Sequence, residues 1–328
     1  MRHSSLGFAL LLAVAGVFPS FSFPVDGPTT AAKQQFEAGN YATAIADLQA
    51  ILTKQTTSAE ANYWLGRSYY ELHDYDKAIE AGEQSIKFDP ANSLYHQWLG
   101  REYGGKADRD RSFFMARKTK KEFEDAVKFN PKNLSARRDL EEFYLDAPWI
   151  LGGSKEAAMD QVNAIAAVDA VEGHLARAVY WRDAKKLDLA EGEYQWVLRM
   201  KPGRIDPYLE VTGFYQHQAN ATKMEEAIEA AAQVNSSDLR LSYYRGVADV
   251  IGATRLNEGE PYLKSYLASA PDRSDWPSHA ATREWLGELY EKMGRRMEAG
   301  EQYRAALQLD PKSKTAREKL QNLEKIPH

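Results

Sequence analysis

Leu65 and Tyr69, and further on Ile79 and Ile86, recur at the intervals that bring apolar side chains onto one face of a helix. Small residues at Gly66 and Ala78 would let two such helices cross closely. Asp89-Pro90 then stops the second, because proline lacks the amide proton a continuing helix uses and restricts the residue before it. The pattern predicts a pair of short helices within residues 59–92.

The same arrangement returns along the chain. Trp64-Leu65-Gly66 recurs thirty-four residues on as Trp98-Leu99-Gly100, and again as Trp285-Leu286-Gly287. Tyr69, Tyr103 and Tyr290 each follow the glycine by three, and Ala299 with Pro311 repeats Ala78 with Pro90. Carrying this frame along gives eight units: 25–58, 59–92, 93–133, 134–170, 171–204, 205–238, 239–279 and 280–313. The units at 205 and 239 match poorly and are placed by Pro202, Pro271, Tyr243, Gly246, Tyr262 and Tyr266. Beyond Pro311, a narrow stripe of Ala316, Leu320 and Leu323 suits a capping helix over residues 314–326. No unit can bury its apolar face alone, so residues 23–328 are expected to form one stack without a conventional domain boundary.

The tripeptide and its flanks resemble the tetratricopeptide repeat, whose W-x2-L-G-x2-Y, A-x3-F and P pattern has this period. The resemblance implies an all-α fold: a right-handed superhelical solenoid of antiparallel helix pairs with a C-terminal capping helix. It also implies a concave groove, lined by the first helices, that receives a peptide or protein segment. By register the groove-facing positions are Tyr63, Arg67, Tyr70 and Glu71, then Gln97 and Arg101, then Arg138 and Glu142. Arginines on three successive inner helices would hold a carboxylate or phosphate, since the guanidinium fork matches planar anions. A partner with an acidic or C-terminal carboxylate feature is therefore expected. The alternative is that Arg67, Arg101 and Arg138 pair with Glu71, Glu102 and Glu142 as ordinary surface charge. Trp64, Trp98 and Trp285 suit packing between repeats, or, facing the groove, anchors for a bound peptide.

Two departures from the period carry chemistry. Gly104–Lys118 contains seven extra residues, with five bases, two acids and Phe113-Phe114. Ala147–Ser154 lengthens the next turn. Both fall between first and second helices, so they share one edge, where neighbouring insertions form a binding lip. The plainer outcome is a longer helix in one case and a proline-glycine turn in the other. The third lengthening, around Asn257–Gly259 and Asp272–Pro277, shows no comparable chemistry.

Composition sets the limits. At 44% hydrophobic and 27% charged residues, the chain lies within the range of folded globular proteins. Arg2, the apolar run Leu6–Phe18 and the small residues Ser20-Phe21-Ser22 read as a cleaved export signal over residues 1–22. That run is shorter than the ~20 residues a membrane span needs, and no second one follows, so no transmembrane segment is expected after signal removal. Without the signal, 41 bases face 47 acids, a net charge of −6, which argues against a nucleic-acid partner. Cysteine is absent, which excludes disulfides, thiolate metal sites and cysteine nucleophiles. The seven histidines show no metal-ligand spacing, and Leu151-Gly152-Gly153-Ser154-Lys155 lacks the phosphate-loop spacing. We therefore expect a cofactor-free scaffold or adaptor of the cell envelope rather than an enzyme, with a structural subunit of an envelope complex, self-assembly, or a groove for an anionic lipid or glycan as the alternatives. Export to the periplasm is expected, with secretion as the second destination. The repeat period leaves the oligomeric state open.

Overall fold

The computed structural model describes residues 27–325; the export signal expected at 1–22 and the end of the capping segment lie outside them. Among the described residues there are seventeen α-helices and no strand. They pair in sequence, α1 (Thr30–Glu37) with α2 (Tyr41–Lys54), α3 (Ala59–Glu71) with α4 (Tyr75–Phe88), α5 (Ser93–Asp110) with α6 (Phe113–Phe129), and α7 (Leu134–Asp146) with α8 (Lys155–Ala166). The second half continues with α9 (Ala170–Asp183) and α10 (Leu187–Met200), α11 (Asp206–His217) and α12 (Ala221–Val234), and α13 (Arg240–Gly252) and α14 (Leu256–Ser269). It ends with α15 (His279–Lys292), α16 (Arg296–Leu309) and a single helix α17 (Lys314–Lys325), whose Ala316 is buried against the last pair. The chain is an all-α helical-repeat solenoid.

Local chemistry sets the helix boundaries. Ser58, Asn92, Asn133 and Ser278 each accept a backbone N–H from the first turn of the helix they precede, satisfying a donor that has no intrahelical partner. Six pairs turn on a residue with left-handed backbone two positions before the second helix, Gly39, His73, Arg111, Lys185, Ala219 and Gly294, and a seventh turns on Arg255 immediately before α14. Close crossing depends on the glycine of the repeated tripeptide. A Cβ at Gly100 would sit 2.5 Å from the Phe123 ring, and one at Gly287 would sit 2.5 Å from the Tyr303 ring.

The core is uneven along the stack. From Leu175 to Ala316 one continuous apolar cluster runs through α9–α17, with Tyr194, Tyr266 and Tyr303 fully enclosed. The N-terminal half holds smaller separate clusters, and ten of the fourteen buried polar residues lie between Asn62 and Glu141. Polar burial is therefore concentrated in α3–α7.

The two departures from the period are structured. The extra residues near Gly104–Lys118 lengthen both helices, α5 to 18 residues and α6 to 17, leaving Arg111 and Ser112 between them. In the next pair, Trp149–Leu151 form one 3-10 turn closed by Gly152 at φ 94°.

The segment between α14 and α15, for which the sequence suggests no comparable chemistry, makes the longest-range contacts. It crosses to the first two pairs. Tyr41 Oη donates to the Asp272 carbonyl at 3.0 Å, spanning 231 positions of sequence. Arg273 pairs with Glu37, and the Ser274 N–H and hydroxyl both donate to the Glu71 carboxylate at 2.9 Å. This segment clasps one end of the solenoid to the other. Its signal is hard to see in sequence because each partner is an ordinary surface residue and the closing geometry is set by the turn of the five pairs between α4 and α15.

Candidate functional site

The inner helices α3, α5 and α7 bring most of the expected groove residues together, with arrangements of different kinds. Tyr63 is buried, 5.0 Å from the Tyr95 ring. Arg67 stands in an aromatic box, its guanidinium carbon 4.1 Å from the Trp98 ring centre, 4.5 Å from Phe36, 4.6 Å from Trp64 and 5.6 Å from Tyr63. Trp64 and Trp98 therefore pack between neighbouring pairs. Trp285 packs against the C-terminal core.

The other two arginines carry internal partners. Arg101 makes a two-point pair with Asp139 at 2.8 and 2.9 Å, and buried Gln97 donates to the same carboxylate at 2.7 Å. Arg138 reaches Glu210 at 2.9 and 3.0 Å and Glu172 at 3.3 Å, tying α7 to α9 and α11. Neither uses the carboxylates suggested by register, Glu102 and Glu142, and Glu71 is taken by the clasp. The three arginines thus do not form one open row for an anion: two forks are saturated by carboxylates from neighbouring repeats, and Arg67 is boxed by rings.

Beside this network lies a chamber of about 1000 Å³. Tyr70, Tyr75, Gly105, Glu142, Phe143, Asp146, Pro148 and Leu151 line it, and Leu309–Lys312 comes across from the far end of the solenoid. Asp108, Glu142 and Asp146 are exposed on its wall, and among the described residues none of the three has an ion pair or hydrogen bond. Against them stands Lys312, a wall base that likewise makes no ion pair. Arg109 is held by Asp76 and Asp110. The chamber is acidic and aromatic. Phe113 and Phe114, also expected as binding residues, lie outside its wall and point to solvent.

Two carboxyls are buried against expectation: Glu102, which the sequence suggested as surface charge, and Glu141, which it did not single out. Glu102 fills the space between Gly66 and Gly82, its carboxyl oxygens lying where either glycine would carry a Cβ. Gly82 stands sixteen positions after its tripeptide glycine, where Tyr303 stands after Gly287, so a missing aromatic leaves a hole that the acid occupies. That glycine at the aromatic site of the period was the signal. Glu141 is 1% exposed with one carboxyl oxygen unpartnered, and burial raises its pKa to about 8 against the pull of Arg138, with Glu142 and Glu210 adding to the rise.

His96, Glu122 and Asp125 place possible ligand atoms within 4.8 Å of one another. Both His96 nitrogens are already used, by Glu122 at 2.6 Å and the Pro90 carbonyl at 3.0 Å, and the ring stacks on Phe129. This is a packed ion pair. Burial alone would lower the His96 pKa, but Glu122 and the Pro90 carbonyl leave it raised.

The raised pKa values set a direction for stability. A group whose folded pKa exceeds its unfolded value stabilises fully below the unfolded value and loses that contribution as pH rises through the folded one. Between the ordinary glutamate range and about pH 8, Glu141 should therefore reduce stability by up to ~1.4 kcal/mol per pH unit. Urea unfolding across pH 5–8 should show Glu141→Gln with a flatter profile than the natural chain; identical slopes would mean that Glu141 is solvated in the folded state.

A stack of helix pairs defines a helical-repeat solenoid. Residues 29–93 and 280–313 each match a tetratricopeptide repeat family model. Tetratricopeptide repeats are thus matched toward both ends of the chain, and the helix pairs described between them have the same architecture. Yeast Tom70 is a structural neighbour with TM-score 0.63 at 13% identity, over 97% of this chain and 66% of that one. A chain of the APC/C hetero-tetramer Cut9-Hcn1 gives TM-score 0.52 at 12% identity, over 90% of this chain and 54% of that one. This chain thus spans less than two thirds of the length of either neighbour. At these identities the likeness is one of fold. No curated protein matches the chain in sequence.

Proposed function

We propose that the chain is a non-catalytic scaffold in the cell envelope that holds an extended, cation-bearing segment of a partner protein in the chamber between α3, α5 and α7. The observation that carries this reading is the chamber wall: three carboxylates without cations of their own beside Tyr70, Tyr75 and Phe143. Lysine or arginine side chains would supply the missing charge, and aromatic faces attract cations. The acidic partner expected from the sequence is disfavoured because Arg101 and Arg138 already hold carboxylates. Placement in the periplasm rests on the export signal read at 1–22.

Calorimetric titration with a lysine-rich decapeptide and its glutamate counterpart tests this. The lysine peptide should bind with an affinity that falls as salt rises. Glu142→Lys with Asp146→Lys should weaken it about a hundredfold, since like charges brought together cost several kcal/mol. Preference for the glutamate peptide, or unchanged affinity in the double variant, would remove the chamber as the binding site.

A further inference from the structure

The edge beside the chamber carries four projecting apolar side chains. Trp149 is 84% exposed, Phe113 68%, Phe114 64% and Ile150 59%. They come from the two departures in the repeat period, and the structure brings those together. The 3-10 turn packs on α6, where the Lys120 ammonium occupies the space a side chain at Gly152 would enter. Phe113 lies about two helical turns before Lys120 on the same side of α6. The turn has two faces: Pro148 and Leu151 line the chamber, whereas Trp149 and Ile150 point away from it.

The first turns of α6, which carry the two phenylalanines, are basic, although Asp108, Asp110 and Asp146 lie at the margins of the lip. Residues 111–121 contain five bases and no acid. Arg111 and Arg117 are exposed and make no ion pair among the described residues, and Lys118 and Lys120 reach carboxylates only at 3.5 and 3.6 Å. Lys121 alone is closely paired, with Asp125 at 2.6 Å.

We infer that this lip is a peripheral docking surface for an anionic lipid bilayer. Phenylalanine, tryptophan and isoleucine enter the boundary between headgroups and acyl chains, while the flanking bases meet anionic headgroups. A protein partner would need a shaped pocket to receive side chains that stand so far from their own surface, whereas a fluid interface accepts projecting ones. No described helix is long and apolar enough to cross a membrane, so attachment by this lip is superficial and reversible. The chamber stays open on the other face of the turn, which allows cargo to be held while the scaffold rests on a bilayer.

Co-sedimentation of the chain with phosphatidylcholine vesicles, with and without phosphatidylglycerol, tests the inference. The chain should pellet with the anionic vesicles only. Phe113→Ser, Phe114→Ser, Trp149→Ser and Ile150→Ser together should lower partitioning at least about tenfold. Arg117→Gln and Arg111→Asn, the latter chosen because asparagine tolerates left-handed backbone, should each lower it about fivefold. All six positions face solvent or are only partly enclosed, and unchanged circular dichroism should show that the variants fold. Retention of the natural chain in the supernatant, or undiminished pelleting of the apolar variant, would overturn the assignment. So would a dimer in analytical ultracentrifugation that the apolar variant dissociates, which would give the patch to a second copy of the chain. Lysine-peptide binding should survive in the lip variants, so the chamber and the lip stand or fall separately.

Discussion

Arg138→Met should destabilise the chain by about 3–5 kcal/mol, read as a fall in the urea midpoint at neutral pH. The side chain is 19% exposed and joins three inner helices through Glu172 and Glu210. Burial by itself would lower the arginine pKa, yet the two glutamates hold it above its ordinary value. Methionine would fill much of the volume and leave the carboxylates facing one another near Glu141. Glu172 would keep Arg204, 3.0 Å away, but Glu210 would have no described cation within ion-pair range. Removing the second charge as well, with Glu210→Leu, should restore most of the loss, because a vacated pair is far less costly than a half-emptied one. A loss below about 1 kcal/mol in the single variant would mean that water reaches the network and screens it.

Tyr194→Ala should cost a similar ~3–5 kcal/mol by a different route. The ring is fully enclosed in the continuous C-terminal core, 4.7 Å from Phe214, and its hydroxyl accepts from Arg182 at 3.3 Å. Alanine would leave a ring-sized cavity and an arginine without that acceptor. Because each pair contacts mainly its neighbours, the damage should spread along the stack rather than stay local. Native-state hydrogen exchange should then show faster opening from α9 through α16, with a smaller change in α1–α4. Protection lost equally along the whole chain would show that the solenoid unfolds as one unit.

Much of this molecule is legible in its sequence. The helix pairs are visible because their period depends on a few strong local requirements: a glycine at several close crossings, a capping side chain at some helix starts, and a proline or turn residue at several stops. Gly100 against Phe123 and Gly287 against Tyr303 show why the tripeptide recurs. The site was less legible, for a physical reason. Register tells which residues face inward, but it does not tell which of them already have partners. Arg101 meets Asp139 from the next repeat, and Arg138 meets Glu210 from two repeats on. Those partners are fixed by superhelical curvature, which is the sum of small rotations that no single repeat reveals. The same limit concealed the chamber, whose wall includes Leu309–Lys312 from the far end of the chain.

The clasp between Arg273 and Glu37, together with Ser274 on Glu71, makes the length of this array a geometric necessity. An open solenoid gains or loses a repeat with little effect on the rest, since each unit touches only its neighbours. Here the intervening pairs must together turn through the one angle that returns Pro271 to within reach of Gly39. Deleting a single pair would leave every remaining interface intact and still throw the two ends out of register. The array therefore behaves as a closed ring of set circumference, in which repeat number is as constrained as any buried side chain.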